Sequence, residues 1–359
     1  MTKKRVGLIG ATGIAGQQFV AALANHPWFT LARVAASERS AGKTLRDALT
    51  DSSGALAWYA GGELPKDAAD LVLEPADELR TDDLSMVFSA VESGPASTLE
   101  PLHAARLPVI SAASAFRDAT DVPLILPQVN PGHLALVPAQ RRARHSEGFI
   151  LPIPNCTTTG LAIALKPLAD AFGLRSVAMT SMQAVSGAGR SPGVAALDVV
   201  DNLVPYIPNE EEKVARETGK ILGKLEGERI APHAVRVSCT CTRVAVLDGH
   251  TESVFASLER PATVAEVREV LASFACPDAD GLPSAPERWI EVHDDPYRPQ
   301  PRRDREAGAG MATSVGRLRL DPVFENGVKL VLLSHNTKMG AAKGAILLAE
   351  LCVAKGLVQ

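Results

Sequence analysis

A cysteine stands in a small polar turn that follows an apolar segment. Cys156 lies in Pro-Asn-Cys-Thr-Thr-Thr-Gly at 154–160, directly after the apolar residues 149–153. We expect the helix that begins near Thr158 to place its positive N-terminal end beside the sulfur and to favour the thiolate. Asn155 and the amides of the turn are candidates for an oxyanion site. The alternative is a buried, inert thiol, the commoner fate of a cysteine.

A histidine and an arginine lie together on a later stretch. His250 follows the turn residues Asp248 and Gly249 between two apolar segments, and such a turn can present a histidine to a cleft. Arg243 is flanked by the apolar residues 244–246, where an arginine needs a fixed anionic partner. That partner is either a substrate carboxylate or a structural ion pair. A thiol, a base and a cation together suggest interconversion of an activated acyl group and an aldehyde through a thioester.

A glycine-rich turn near the start of the chain predicts a nucleotide site. Residues 10–16 have the pattern GxxGxxG between an apolar segment and a helical one. These glycines allow a tight turn and a close approach of a pyrophosphate to the helix N-terminus. Gly10, Thr12, Gly13 and Ile14 are therefore candidate cofactor contacts, and an ordinary strand-to-helix turn is the alternative.

The end of the second predicted strand distinguishes NAD from NADP. Ser37, Arg39, Ser40 and Lys43 follow it and could surround a 2′-phosphate, which favours NADP. The alternative is a solvated loop in which Glu38 holds the ribose of NAD.

The elements that must position these residues fall into two patterns. The first part alternates strands and helices, which predicts an α/β fold with a Rossmann-type, doubly wound parallel sheet. Its strands are predicted at 5–10, 29–36, 71–73, 85–90 and 108–111, with helices at 15–23 and 95–106.

The second part has longer, better alternating strands, which predicts an α+β domain with an antiparallel or mixed sheet. Its strands are predicted at 176–183, 235–246, 250–258, 312–320 and 328–334, with helices at 161–172 and 340–354, a mostly helical excursion at 198–223 and an irregular loop at 278–310. We expect a dinucleotide-binding domain at 1–153, completed by a C-terminal helix in 337–359, and a catalytic and dimerisation domain at 154–336.

The composition excludes several classes of protein. The 359 residues are 46% hydrophobic and 22% charged with a net charge of −4, which does not suggest nucleic-acid binding. Five cysteines without CxxC spacing indicate neither a disulfide scaffold nor a metal site. No secretory signal or membrane-length apolar run is found, so we expect a soluble, cytoplasmic protein without membrane contacts.

Motifs along nearly the whole chain resemble one family. They lie in order at 10–13, 154–158, 183–189, 202–207, 210–213, 243–250, 298–302 and 335–337. Together they are similar to the aspartate-semialdehyde dehydrogenase family of the archaeal and fungal type. The resemblance implies reduction of L-aspartyl 4-phosphate by NADPH, in lysine, threonine and methionine biosynthesis, by a homodimer or homotetramer.

The resemblance also implies roles for individual residues. Cys156 would carry the thioester, His250 would be the acid–base catalyst, and Gln183 would orient the acyl group. For the substrate it implies Arg243 at the α-carboxylate, one glutamate of 210–212 at the amino group, and Arg117 and Lys213 at the phosphate. The full set of cofactor-binding residues expected is Gly10, Thr12, Gly13, Ile14, Ser37, Arg39, Ser40, Ser89, Gly187 and Asn336, and the substrate set is Arg243, Glu210, Lys213, Arg117 and Asn155. Simpler alternatives are a strand end for Gln183, a solvated helix face for 210–213, and pairing of Arg117 with Asp118.

Two departures from the family pattern leave alternatives open. Residues 111–116 lack the asparagine expected there, and Arg190 replaces a more usual aromatic residue. Malonyl-CoA reductases resemble this family closely, so a CoA-thioester reductase on the same fold is the first alternative. A non-catalytic NADP-binding protein is the second.

Overall fold

The chain folds into two compact units in the computed structural model, which describes residues 2–188 and 196–358. The strands are β1 (Lys4–Ile9), β2 (Phe29–Ala36), β3 (Leu73–Pro75), β4 (Met86–Ser89), β5 (Val109–Ser111), β6 (Ile150–Pro152), β7 (Leu174–Gln183), β8 (Lys224–Glu226), β9 (Arg229–Ala231), β10 (Arg236–Arg243), β11 (His250–Leu258), β12 (Ile290–Val292), β13 (Thr313–Asp321) and β14 (Gly327–Ser334). The α-helices are α1 (Ile14–Leu23), α2 (Leu45–Leu49), α3 (Lys66–Ala69), α4 (Ser93–Ala104), α5 (Val137–Arg144), α6 (Cys156–Phe172), α7 (Ala196–Val199), α8 (Glu210–Ile221), α9 (Val264–Ala272), α10 (Pro301–Asp304) and α11 (Lys343–Ala354).

Residues from three parts of the chain make the first unit. They are Met1–Ile125, Leu134–Ile153 and Ala341–Gln359, and the second unit consists of Leu126–His133 and Pro154–Gly340. None of the described helices is long and apolar enough to cross a membrane.

The first unit contains a six-stranded parallel sheet in the order β3-β2-β1-β4-β5-β6. This confirms the predicted doubly wound sheet. The strand order reverses between β1 and β4, and such a reversal opens a crevice at the carboxyl ends of the strands. β3 begins at Leu73 rather than at 71, because Val72 first forms an antiparallel bridge with Thr44.

The glycine turn between β1 and α1 is tightly packed. Gly10 has φ +83°, and a Cβ there would lie 2.7 Å from the Ala90 carbonyl oxygen. A Cβ on Gly16 would lie 2.1 Å from the Gly10 oxygen. The helix begins at Ile14 with Gly13 as its N-cap and no side-chain cap. Its first N–H groups are therefore left uncapped by any side chain.

A buried histidine anchors the C-terminal helix α11 within the first unit. The His26 Nδ1 atom accepts hydrogen bonds from the backbone N–H groups of Trp28 and Phe29, at 3.2 and 3.1 Å. The neutral ring therefore carries its proton on Nε2, which lies 2.8 Å from Glu350 Oε1. Both side chains are almost fully buried, so the contact ties α11 to the start of β2.

The second unit contains a six-stranded mixed sheet in the order β10-β7-β11-β14-β13-β12. The outer pairs β10–β7 and β12–β13 are parallel, and the inner pairs are antiparallel. This confirms a mixed sheet. Helix α6 packs against β11 and β14, and α8 packs against β10.

Two predicted elements of the second unit were wrong in detail. β10 ends at Arg243 rather than at 246, because the backbone of Arg243 pairs with Val204 and the chain then turns. The supposed loop at 278–310 contains the edge strand β12 and the short helix α10. Proline, glycine and charged residues are common in that segment, so the sequence pattern did not indicate a strand of only three residues.

Candidate active site

Three buried polar side chains lie at the same edge of three neighbouring strands of the mixed sheet. Arg243 ends β10 and lies opposite Gln183, which ends β7. His250 begins the antiparallel strand β11, where the next residue, Thr251, lies opposite Met182 of β7. Arg243, Gln183 and His250 are 7%, 1% and 0% exposed. We call these three residues the end row.

Cys156 faces the end row from the first position of α6. Asn155 caps this helix, because its Oδ1 atom accepts hydrogen bonds from the N–H groups of Thr157 and Thr158 at 2.8 and 3.2 Å. Cys156 is half-buried, and its Sγ lies 3.2 Å from His250 Nε2. The positive end of a helix and a histidine ring therefore meet at the sulfur, and both favour negative charge there.

The surroundings of His250 determine where its proton lies. Its Nδ1 atom accepts a hydrogen bond from the Ala184 N–H at 3.1 Å, so the neutral ring carries its proton on Nε2, facing the sulfur. Burial, and then the charges of Arg243 and His335, lower the pKa of His250 to about 3. The ring is thus a neutral imidazole at physiological pH.

Arg243 is a buried cation with capacity for a further anion. Its Nη1 donates to the Ala184 carbonyl oxygen at 2.8 Å. Burial lowers its pKa, while negative charge at Cys156 and Glu210 acts in the opposite direction. Within residues 2–188 and 196–358, no carboxylate forms an ion pair with Arg243. The structural ion pair weighed in the sequence analysis is therefore not found in the described part of the chain.

Glu210 is the glutamate of the 210–212 run that faces this centre. Its Oε1 atom accepts hydrogen bonds from Asn155 Nδ2 at 2.9 Å, Gln183 Nε2 at 3.2 Å and Thr157 Oγ1 at 3.3 Å. Glu211 instead accepts from the backbone of β10, and Glu212 is exposed. Lys213 is half-buried one helical turn after Glu210. The run is therefore not a uniformly solvated helix face.

Several groups of the expected oxyanion site already have hydrogen-bond partners within the chain. The amides of Thr157 and Thr158 already donate to Asn155 Oδ1. The Asn155 N–H and its Nδ2 group donate to Glu217 and Glu210, at 2.6 and 2.9 Å. A capping residue engages the first amides of its own helix, so the Thr157 and Thr158 amides are used within the turn, and Asn155 Nδ2 contacts Glu210.

A short helical turn after β7 covers the end row. Gly187 is exposed within Val185–Ala188, and a Cβ on it would lie 3.0 Å from Arg243 Nη1 and 3.1 Å from His250 Cε1. Asn336 accepts from the Gly249 N–H and donates to Ser186 Oγ, both at 2.8 Å. Asn336 thus ties this turn to the one before His250. Arg190 and Gly189 lie outside the described residues.

The remaining predicted residues lie in the first unit. Gly10, Thr12, Gly13 and Ile14 form the β1–α1 turn. Ser37, Arg39 and Ser40 lie in the turn after β2, where Ser37 and Arg39 are exposed.

Ser89 and Arg117 of the first unit are buried. The Ser89 hydroxyl is fully buried and donates to Glu100 Oε1 at 2.7 Å. Arg117 Nη2 donates to the Ala112 carbonyl oxygen at 3.0 Å. A cofactor contact through the Ser89 hydroxyl would therefore compete with its bond to Glu100.

Sequence reasoning missed several residues around Cys156. Gly340 leaves room for it, because a Cβ there would lie 2.8 Å from Cys156 Cβ. Ser181 and Glu252 are buried on the sheet face that carries Gln183 and His250. Side chains two positions apart on a strand share a face, so this spacing could have identified both.

Comparisons with known proteins agree with this site. A family model described as semialdehyde dehydrogenase, NAD binding domain, matches residues 5–137, and one described as semialdehyde dehydrogenase, dimerisation domain, matches 165–339. An aspartate-semialdehyde dehydrogenase from Archaeoglobus fulgidus is 46% identical over 98% of this chain and 99% of its own length. One from Saccharomyces cerevisiae is 41% identical over 99% of both chains.

Solved structures are similar over the same length. The crystal structure of aspartate semialdehyde dehydrogenase with NADP from Candida albicans has a TM-score of 0.89 and 39% identity, covering 99% of this chain and 100% of that one. The Vibrio cholerae aspartate semialdehyde dehydrogenase II complexed with ASA has a TM-score of 0.77 and 26% identity, covering 99% of both.

Proposed function

Because this chain belongs to the aspartate-semialdehyde dehydrogenase family, we propose that it reduces L-aspartyl 4-phosphate to L-aspartate 4-semialdehyde and phosphate with NADPH, in the synthesis of lysine, threonine and methionine. The observation that carries the proposal is the 3.2 Å contact between Cys156 Sγ and His250 Nε2 at the start of α6. A thiolate held by a helix N-terminus and a histidine is the nucleophile that thioester chemistry requires.

Cys156 and His250 carry the chemistry of the reaction. The Cys156 thiolate attacks the acyl carbon, the carbon–phosphate oxygen bond breaks, and phosphate leaves with that electron pair. NADPH, when bound, supplies the hydride that reduces the resulting thioester. The carbon–sulfur bond then breaks as the aldehyde forms and the thiolate is restored. His250 stabilises the sulfur through Nε2 and exchanges a proton with the reacting groups at that atom.

Substrate recognition falls to the charged residues around the sulfur. Arg243 binds the α-carboxylate, supported by its burial and by its lack of a carboxylate partner among the described residues. Glu210 binds the amino group, supported by its place beside Asn155 and Gln183. Gln183 orients the acyl group, and Arg117 and Lys213 hold the phosphate.

The first part of the chain, 1–153 with 337–359, forms the NADP-binding domain in this proposal. The residues fit a dinucleotide, because α1 begins without a side-chain cap and Gly13 at its start is exposed. Ser37, Arg39 and Ser40 hold the 2′-phosphate, supported by the exposure of Arg39 beside the two serines. Gly10, Thr12 and Ile14 contact the pyrophosphate, while Ser89, Gly187 and Asn336 complete the nicotinamide end.

The second part, 154–336, forms the catalytic and dimerisation domain. Since it carries the family's dimerisation domain, the protein is an oligomer that acts on a small molecule. We propose a homodimer, or a homotetramer built from dimers, that associates through the outer face of the mixed sheet. Half-buried residues such as Ala178, Met182, Phe255 and Val331 on central strands support this face. A cytoplasmic location is supported by five free cysteines, which suit a reducing compartment.

The test is NADP reduction with L-aspartate semialdehyde, followed by absorbance with and without inorganic phosphate. Turnover that depends on phosphate supports the phosphorylating dehydrogenase. Turnover only when CoA replaces phosphate would indicate the CoA-thioester reductase, and none with either would contradict catalysis of this kind. Native mass measurement on the same preparation decides between dimer and tetramer.

A further inference from the structure

A second row of buried polar side chains underlies the end row on the mixed sheet. Ser181 of β7 lies opposite Cys241 of β10 on one side and Glu252 of β11 on the other. Each is two residues from Gln183, Arg243 or His250 and is 0% exposed. Because strand residues two apart share a face, this second row (Ser181, Cys241 and Glu252) lies on the same sheet face as the end row, two residues along each strand from it.

Glu252 is the unusual member of the second row. Both of its carboxyl oxygens are buried, and neither has a hydrogen-bond partner among the described residues. The residue opposite it on β14 is the apolar Leu332. A carboxylate without donors is strongly disfavoured in such a place, whereas a carboxylic acid is tolerated far better.

The charge balance around Glu252 points the same way. Helix α8 supplies the carboxyl groups of Glu210 and Glu211, and each of these accepts at least one hydrogen bond. Its own strand contributes the neutral His250, and the nearby cation is Arg243 on β10. A carboxylate at Glu252 would therefore add buried negative charge beside Glu210.

The other facing groups do not supply a positive charge. β10 contributes Cys239 and Cys241, β7 contributes Ser181, and α6, which packs on β11, contributes Cys156 at its start. Burial raises the pKa of Glu252 well above its usual value, and negative charge at Cys241 and Glu210 raises it further. The electrostatics therefore agree with the geometry.

We propose that Glu252 is a positioning residue that keeps its proton and thereby adds no negative charge beside Glu210 beneath the substrate. This inference rests on the proposed function, since Glu210 meets the amino group and Cys156 reacts as a thiolate there. Loss of the proton at alkaline pH would place a further buried carboxylate under the end row. That charge would oppose the Cys156 thiolate and an anionic acyl substrate, and turnover would fall.

The first experiment compares the pH profiles of kcat and kcat/KM for the wild type and Glu252→Gln. Glutamine copies the shape of the protonated acid but cannot ionise. We expect a loss of about tenfold or less near neutral pH, from one poorly matched hydrogen-bonding group. We also expect the alkaline decline of the wild type to move up by at least about one pH unit in the variant. Glu212→Gln, an exposed carboxyl on α8, is the matched control and should keep the wild-type profile.

Several results would overturn the inference. An alkaline decline that is identical in Glu252→Gln, or absent from the wild type, would show that Glu252 does not govern it. A loss above about 100-fold at neutral pH in a folded variant would show that the carboxylate form is needed.

Infrared spectroscopy tests the proton without any substrate. The wild type should show the carbonyl band of a protonated carboxylic acid at neutral pH, and this band should fade as activity declines at alkaline pH. Glu100→Gln removes the signal of Glu100, another buried acid whose pKa burial raises. If Glu252→Gln does not fold, this titration in the Glu100→Gln protein decides alone, and absence of the band contradicts the inference. Failure to turn over L-aspartate semialdehyde would instead count against the proposed function, whatever the band shows.

Discussion

Two buried glutamines of the first unit and two buried charged residues of the second unit differ in how fully the chain satisfies them. In the first unit, Gln17 donates to two carbonyl oxygens and accepts from the Tyr59 N–H, and Gln140 has the same kind of complete set. In the second unit, Arg243 and Glu252 are also buried. Among the described residues, Arg243 has no carboxylate partner, and neither carboxyl oxygen of Glu252 has a hydrogen-bond partner. The side-chain amides of Gln17 and Gln140 are thus satisfied by the chain itself.

In the proposed function, a substrate supplies the partner that the end row of the second unit lacks. Arg243 uses one guanidinium nitrogen on the Ala184 carbonyl, and Cys156 remains half-buried beside a neutral imidazole. A folded chain tolerates such incomplete groups where binding supplies the missing partner. The following experiments test this difference, beginning with the largest effect.

Removal of the nucleophile should give the largest loss. Cys156→Ala should reduce turnover at least ~10³-fold, because thioester formation has no substitute nucleophile. NADPH binding, measured by fluorescence titration, should be nearly unchanged. Cys276→Ala, which removes a remote buried thiol, serves as the control. Retention of more than about a tenth of the activity in Cys156→Ala, far above the ~10²-fold loss of even one acid–base group, would contradict the thioester mechanism.

Replacement of the buried cation should give the next largest loss. Arg243→Lys keeps the charge but loses the planar fork that binds a carboxylate through two hydrogen bonds. We expect kcat/KM for L-aspartate semialdehyde to fall roughly 30- to 100-fold, equivalent to about 2 to 3 kcal/mol, mainly through KM. Arg236→Lys at the exposed start of the same strand should have little effect. An unchanged KM in Arg243→Lys would remove Arg243 from substrate binding.

A methyl group beside the end row should have a moderate effect. In Gly187→Ala the new Cβ would lie 3.0 Å from Arg243 Nη1 and 3.1 Å from His250 Cε1, so one of them must move. Overpacking of this kind costs about 1–3 kcal/mol, and if the cost falls on the transition state, kcat drops by roughly 5- to 150-fold. Gly61→Ala, where no atom lies within 4 Å of the new Cβ, is the matched control. Equal activities of the two variants would show that the turn at Gly187 shifts to accommodate the methyl group without displacing Arg243 or His250.

Disruption of a saturated group in the first unit should affect stability instead of chemistry. His26→Ala removes the His26 Nε2 contact from the buried Glu350 and should lower the free energy of unfolding by about 3 kcal/mol. Urea denaturation measures this loss, and kcat per folded molecule should stay near the wild-type value. Glu350→Gln keeps an acceptor for the His26 Nε2–H, so its loss should be much smaller. An equal loss in both variants would show that the charge, not the hydrogen bond, holds α11.

The protonation state of His250 should not change over the working pH range. An ordinary histidine becomes half-protonated near pH 6.5, but burial lowers the pKa of His250 to about 3. Its ring should therefore stay neutral, with the proton on Nε2, as the pH falls from 8 to about 4. Nitrogen NMR of histidine-labelled protein, assigned with His250→Asn, checks this. A titration near pH 6.5 would mean that the end row is more hydrated than the structure indicates.

The sequence alone determined the local features of this protein. Strand and helix periodicity identified the parallel sheet, and residue type with position singled out Cys156, His250 and the glycine turn. These signals are local, since helix starts, turns and alternation depend on neighbours a few residues apart. The same local signals misplaced the end of β10 and missed β12, because a bridge to Val204 and pairing with β13 are long-range contacts.

Only the tertiary structure decided which side chains meet and what charge they carry. Strand register placed Arg243, Gln183 and His250 in one row, although they are separated by up to 67 positions in the chain. The register also put Glu252 beneath that row, and helix α8 selected Glu210 over Glu211 and Glu212. Burial and the direction of hydrogen bonds, which set the protons on His250 and Glu252, arise only when distant segments pack together.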